Sequence, residues 1–222
     1  MKNIRLVIAG CGGLGQEVLW AARRAQCQVS DQTVDILGFC AEIAPPENTE
    51  IAGLPFLGLV DSELLNGSSN KPTHFICAIG DNLARRRICG VLETMGLEPW
   101  TVIDPSAIVS PSAKLGLGTY LAPGSIISNH ALLENHVIVN LNASVGHDCH
   151  VGMFAQLCPG SRLSGNCIIG AGAFLGTNAA LAPGRRMGHN SLLGGGSFCA
   201  VDIPDSTTAL ATPARLLPVR PV

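Results

Sequence analysis

The sequence predicts a two-part chain: a small α/β domain over residues 1–104, then a parallel β-helix of six-residue repeats over 105–222. Three observations predict it. Strand-like and helix-like runs alternate as far as residue 104. Helical periodicity then disappears. From Val109 to Leu193 an aliphatic residue recurs at every sixth position, fifteen times without a slip.

In the first part, Ile4 to Ala9 is a short apolar run ending at glycine, the pattern of a buried parallel strand. Leu14 to Gln26 has helical spacing and no breaker. Val34–Phe39 and Thr73–Ile79 read as strands, Asn82–Met95 as a second helix, and Trp100–Ile103 as a fourth strand. The stretch from Ala44 to Asn70 carries Pro45, Pro46 and Pro55 and reads mostly as loop, with a helical turn at Asp61–Leu65. Strands alternating with crossover helices imply a doubly wound sheet.

In the second part, each hexad supplies one short strand and a turn. Three hexads make a triangular coil of about 18 residues, and coils stack about 4.8 Å apart. The recurrent aliphatic points to the axis. The residue two places earlier is small in nearly every hexad, and glycine often follows the aliphatic, as at Gly146, Gly152 and Gly170, to permit a tight corner. From Ile203 on, four prolines predict a tail that leaves the helix and lies back on its surface.

Composition narrows the function classes. Of 222 residues, 47% are hydrophobic and 14% charged, so large apolar faces are expected to drive oligomerisation. A net charge of −2 gives no basic field for nucleic acid or an acidic membrane. No apolar run approaches the ~18 residues of a membrane span. The nine cysteines form no CxxC pair, and no signal peptide precedes Ile4, so a cytoplasmic protein with reduced thiols is expected.

Two motifs carry chemistry. Gly10-x-Gly12-x-x-Gly15 follows a strand and opens a helix, the setting in which backbone N–H groups cradle phosphate. It could serve a dinucleotide, although Phe39-Cys40-Ala41 replaces the usual acid after the second strand and Glu42 comes late. It could equally be a packing turn. The second motif is Gly146-His147-Asp148-Cys149. His147 follows the inward Val145 by two residues and so sits at a corner, free to act as a general base with Asp148 orienting or stabilising the ring. Residues eighteen apart stack, so Asn129, His147 and Gly165 form one column and His130 lies beneath Asp148. A His130–Asp148 pair could be functional or structural.

The whole chain resembles the PglD/NeuD-like family of bacterial sugar acyltransferases. The resemblance rests on Gly10-Cys11-Gly12-Gly13-Leu14-Gly15 and on Ala78-Ile79-Gly80-Asp81-Asn82 with Arg85. It continues through Asp104-Pro105-Ser106-Ala107, Gly146-His147-Asp148-Cys149, Pro159-Gly160 and Leu163-Ser164-Gly165-Asn166. Leu193-Gly194-Gly195-Gly196 and Thr212-Pro213-Ala214-Arg215 complete it.

The resemblance implies a Rossmann-like acceptor-binding domain joined to a left-handed β-helix. It also implies a homotrimer that takes acetyl from acetyl-CoA without a metal. His147 is then the base and the Gly165 N–H the donor to the acetyl carbonyl. Acetyl-CoA contacts fall on Gln156, Gly165, Thr177 and Gly195, and Arg215 is placed to meet a CoA phosphate. The sugar or nucleotide-sugar acceptor falls on Gly10, Gly12, Gly13, Leu14, Gly15, Gly80, Asp81 and Asn82. Leu14 and Gln156 stand where the family usually has histidines.

Other readings are a small non-sugar alcohol or amine as acceptor, a silent hexapeptide trimer, an NAD oxidoreductase and a γ-class carbonic anhydrase. The last needs metal histidines at a spacing that the pairs His130/His136 and His147/His150 do not match.

Overall fold

The computed structural model describes residues 4–26, 34–46, 51–60 and 71–211. The helical turn expected at Asp61–Leu65 and the motif Thr212–Arg215 lie outside the described residues.

The α/β part contains β1 (Ile4–Ala9), α1 (Gly13–Gln26), β2 (Val34–Ala41), β3 (Phe56–Leu59), β4 (His74–Cys77), α2 (Asn82–Thr94) and β5 (Glu98–Pro99). The strands form one parallel sheet in the order β3-β2-β1-β4-β5. Strand alternation sends Leu6 and Ile8 to one face, where Val18, Leu19 and Ala22 of α1 cover them. Val7 and Ala9 go to the other, beneath Ile88, Cys89 and Leu92 of α2. Both helices were legible in the sequence. β3 was not, because Pro55 and Gly58 disguise a four-residue edge strand.

Val102–Ile103 does not join this sheet. It pairs with Tyr120–Leu121 as a rung of the β-helix, while Glu98–Pro99 takes the place beside β4. The strand expected at Trp100–Ile103 is therefore real but belongs to the second half.

That half is a three-sided prism of two-residue parallel rungs. Face I runs from Val102–Ile103 to Thr208–Ala209 with seven rungs. Face II runs from Ile108–Val109 to Phe198–Cys199 with six, and face III from Lys114–Leu115 to Arg186–Met187 with five. Register is eighteen residues, as in Ile126↔Ser144↔Arg162. Leu121, Val139, Leu157 and Leu175 fill the axis with no exposure.

Two expectations change. The glycine after each aliphatic does not supply a left-handed dihedral. A Cβ on Gly146 would instead stand 2.6 Å from the Ser164 carbonyl carbon of the next coil, so the requirement is clearance for stacking. The left-handed corner residue comes two places later, as at Asp148 (φ 56°) and Asn166 (φ 61°). Nor does the chain leave the prism at Ile203. Ile203 pairs with Met187 and Thr208–Ala209 with Leu192–Leu193. The repeat shortens by two residues after Cys199, which breaks the period of six, and the Asp202 carboxylate accepts from the Arg186 N–H at 2.9 Å where the ladder slips.

The two halves pack through face I. Tyr120, Ile138 and Ala122 share an apolar cluster with α1, while Phe154 joins the α2 side. Arg24 Nε lies 3.3 Å from buried Asp104 Oδ2, tying α1 to the first coil.

Candidate active site

His147 and Asp148 occupy the corner between faces II and III. The His147 side chain is 58% exposed, so it is available to a ligand. Its Nδ1 lies 2.7 Å from Asp148 Oδ2. A carboxylate there requires Nδ1 to carry hydrogen, which leaves Nε2 as the lone-pair nitrogen in the neutral ring. The bond is possible because Asp148 adopts φ 56°, turning its side chain back along the corner. The His147 hydrogen bond, aided by His130, holds the Asp148 carboxyl below its usual pKa range.

Gly165 lies one coil above His147. The missing side chain of Gly165 leaves space over the corner. The imidazole itself occupies it: a Cβ on Gly165 would collide with His147 Nε2 and Cε1. The base nitrogen therefore rests against the Gly165 backbone. Among the described residues the Gly165 N–H donates to no acceptor, although its carbonyl receives the Gly184 N–H at 2.9 Å. An imidazole nitrogen with a free lone pair and a bare N–H donor are thus adjacent on one corner.

Thr177 and Gly195 stack on a different corner, between faces I and II. The Gly196 N–H donates to the Thr177 carbonyl at 2.8 Å, and both Thr177 and Gly195 are exposed. Within one chain, the four residues therefore divide between two corners, His147 with Gly165 and Thr177 with Gly195.

The glycine loop sits beside the I/II corner, where Cys11 and Leu14 share an apolar cluster with Ala122 and Leu141. Gly10, at φ 120°, allows the loop to pass the Ala78 carbonyl, 2.6 Å from where a Cβ would lie. Gly15 has no room for a Cβ against the Gly10 carbonyl. Gly12 and Gly13 instead face open space, at the start of α1, whose first turn holds no acidic residue. That is an anion-accepting helix N-terminus. Glu42 forms a two-point hydrogen bond with Arg87 at 2.8 and 2.7 Å, so it is engaged rather than poised for a ribose.

Gln156 is not beside His147. It lies on face I, 6% exposed, where Arg85 Nη1 donates to its Oε1 at 3.1 Å. Arg85 is 1% exposed and, among the described residues, has no carboxylate partner. It also donates to the Ile79 carbonyl (2.7 Å), Asn82 Oδ1 (2.9 Å) and the Phe154 carbonyl (2.6 Å). Burial pulls its guanidinium down to about 10, which leaves it charged at neutral pH. Asn82 completes the joint by donating to the Gly172 carbonyl at 2.8 Å. Asp81 caps α2 through the Ala84 N–H at 2.7 Å, and Gly80 lies against Gln156. The Gly80-Asp81-Asn82 turn thus fastens the two halves together. The role of Arg85 went unread because nothing in its helix shows that a second domain covers it.

The other histidines disperse. His136 is stacked between Phe75 and Phe154 and bonded to Glu93 at 3.0 Å within the joint. His150 pairs with Glu134 at 2.7 Å on face III, where an open groove of about 520 Å³ also meets His189 and Arg186. That groove contains none of the catalytic or cofactor residues named above. The structure brings together His147, Asp148, His130 and Gly165, and separates them from Gln156, Thr177 and Gly195 within the chain.

Comparison with known proteins adds a family. The PglD N-terminal domain description matches residues 5–92. The acetyltransferase domain of PglB from Neisseria gonorrhoeae FA1090, solved with acetyl coenzyme A, is 30% identical over 97% of this chain and 100% of that one, with a TM-score of 0.82. The chain belongs to the PglD/NeuD-like family.

A second member of the PglD/NeuD-like family, PerB from Caulobacter crescentus, was solved with CoA and GDP-perosamine. It is 30% identical over 95% of each chain, with a TM-score of 0.80. WeeI from Acinetobacter baumannii AYE shares the fold at 22% identity and a TM-score of 0.81. A search of curated protein sequences finds no match. Among the described residues no helix is long and apolar enough to cross a membrane.

Proposed function

We propose that the protein transfers an acetyl group from acetyl-CoA to the amine or hydroxyl of a nucleotide-linked sugar, with His147 as general base. The observation that carries this reading is the corner arrangement. An exposed imidazole has Nδ1 on a carboxylate and Nε2 against a glycine with an unused N–H. Its relatives solved with acetyl coenzyme A, and with CoA and GDP-perosamine, support the choice of substrates.

In this reading His147 Nε2 removes the proton as the acceptor attacks the thioester carbonyl. Asp148 stabilises the imidazolium, and the Gly165 N–H receives the developing oxyanion. The tetrahedral intermediate collapses with cleavage of the C–S bond, and the thiolate leaves with the proton returned by His147. The Gly10–Gly15 loop holds the acceptor's diphosphate through backbone N–H groups at the start of α1.

The two-corner split supports a site shared between chains of a homotrimer. Face II, which joins the two corners, exposes Ile108 (63%) and Ile126 (41%) at one end and Phe198 (70%) at the other, with Ser144, Arg162 and Ala180 between them. Packing that face about a threefold axis would bring one copy's His147 corner to the next copy's Thr177 corner.

The test is acetyl-CoA consumption with UDP-, GDP- and dTDP-linked amino sugars, free sialic acid and serine. Thiol release with a nucleotide-linked sugar, absent with the free acceptors, is expected. Release with serine and none of the sugars would overturn the reading.

A further inference from the structure

The Asp148 carboxylate serves two imidazoles, one on each oxygen. Oδ2 meets His147 Nδ1 at 2.7 Å, and Oδ1 lies 3.3 Å from His130 Nδ1. His130 stands one coil below Asp148 in the same column, with nearly the same backbone dihedral (φ 57° against 56°). Its place is set by the corner ladder: the His130 N–H donates to Ser112 Oγ at 3.1 Å, and the Asp148 N–H to the Asn129 carbonyl at 2.9 Å.

We propose that His130 is a positioning residue: it holds Asp148 Oδ1 so that Oδ2 faces the base. The inference rests on His147 being the general base. A carboxylate on an exposed corner rotates freely unless both oxygens are held, and His130 supplies the second hold. A ring N–H on His130 presents partial positive charge to that oxygen.

The other groups facing Asp148 do not supply this charge. Ser112, Asn129 and Asn166 of the adjoining corner columns are neutral. Inside the prism the buried Cys149 thiol is pushed up in pKa by its hydrogen bond with Cys167 and by burial, so it stays protonated. Among the described residues His130 is thus the side chain that meets the carboxylate oxygen left free by His147.

The experiment compares wild type, His130→Asn and His130→Ala, each as the full chain, by kcat and KM for acetyl-CoA across pH 5–9. Asparagine tolerates the left-handed dihedral and keeps an N–H near the Nδ1 position, but it cannot become charged. His130→Ala is expected to lose about tenfold in kcat with KM for acetyl-CoA unchanged. His130→Asn is expected to recover at least half of the wild-type plateau.

A His130→Ala protein within twofold of wild-type kcat, or a His130→Asn protein no better than the alanine variant, would overturn the proposal. Failure of the underlying reading looks different: His147→Ala would then retain turnover whatever stands at 130.

Discussion

The His147 corner and the Arg85 joint are both polar sites, but they are built over very different chain separations. His147 touches Asp148, one residue away, and Gly165, eighteen away. Arg85 reaches Asn82 and Ile79 within its own region and then Phe154 and Gln156, 69 and 71 residues distant. In the prism a side chain meets mainly the coils directly above and below it, so a change there stays local. At the joint one guanidinium satisfies acceptors from both halves, so its loss is felt by both. The first site can be altered to change chemistry alone. The second cannot be altered without changing how the domains hold together.

The sharpest way to break this comparison is at the base. His147→Ala is expected to cost about 10²–10⁴ in kcat while leaving the melting temperature near wild type. Retention of more than a tenth of turnover would remove His147 from the mechanism, and a large loss of stability would show that the corner is not local.

Arg85→Leu should show the opposite pattern. It strands Asn82, Gln156 and two carbonyls in a buried joint, and a loss of about 3 kcal/mol is expected by denaturant unfolding. A variant as stable as wild type would mean that the joint's acceptors find water or other partners.

Gly165→Ala sharpens the local case. The added methyl has no room beside His147, so the ring must turn away from its place against the backbone. About tenfold loss in kcat is expected with little change in stability.

The smallest effect is expected at Glu134. Burial raises its pKa, but the His150 hydrogen bond and the Met153 N–H together hold it below the ordinary 4.5. A lowered folded value means that its contribution is full above pH 4.5 and fades as pH falls through the folded pKa. On an exposed face, Glu134→Gln is expected to cost no more than about 0.5 kcal/mol at pH 7. Thermal melts of the two proteins should converge in acid. A gap that widens there would reverse the sign.

What could be read in advance follows the same division. In a strict repeat, position modulo eighteen sets both coil and corner, so the His147–Asp148–Gly165 grouping and the place of His130 under Asp148 were legible from numbers alone. The same arithmetic separates Thr177 and Gly195 from that corner, although they were grouped with Gly165 as acetyl-CoA contacts. Gln156 shows the limit: periodicity sets its face, but only the docked α/β domain reveals that the side chain is consumed by Arg85. Asn82 and Asp81 were read as acceptor contacts for the same reason, since a turn after a strand looks alike whether it grips a ligand or a neighbouring domain. The end of the prism was misjudged because two missing residues after Cys199 destroy the period while the rungs continue. β3 escaped notice because four residues that follow Pro55 and include Gly58 carry too little pattern.

The most direct test of the central claim, a single site assembled from two corners of different copies, is complementation between damaged chains. His147→Ala removes the base, and Thr177→Trp fills the other corner with an exposed bulky ring. Each protein alone is expected to be inactive. Co-refolded in equal amounts, each mixed trimer would unite an intact His147 with an intact Thr177 corner at one of its three interfaces, about a quarter of all interfaces in the mixture, and acetyl-CoA consumption is expected to recover to about a quarter of wild type. A mixture as inactive as its parents, with mixed trimers confirmed by mass, would contradict the account.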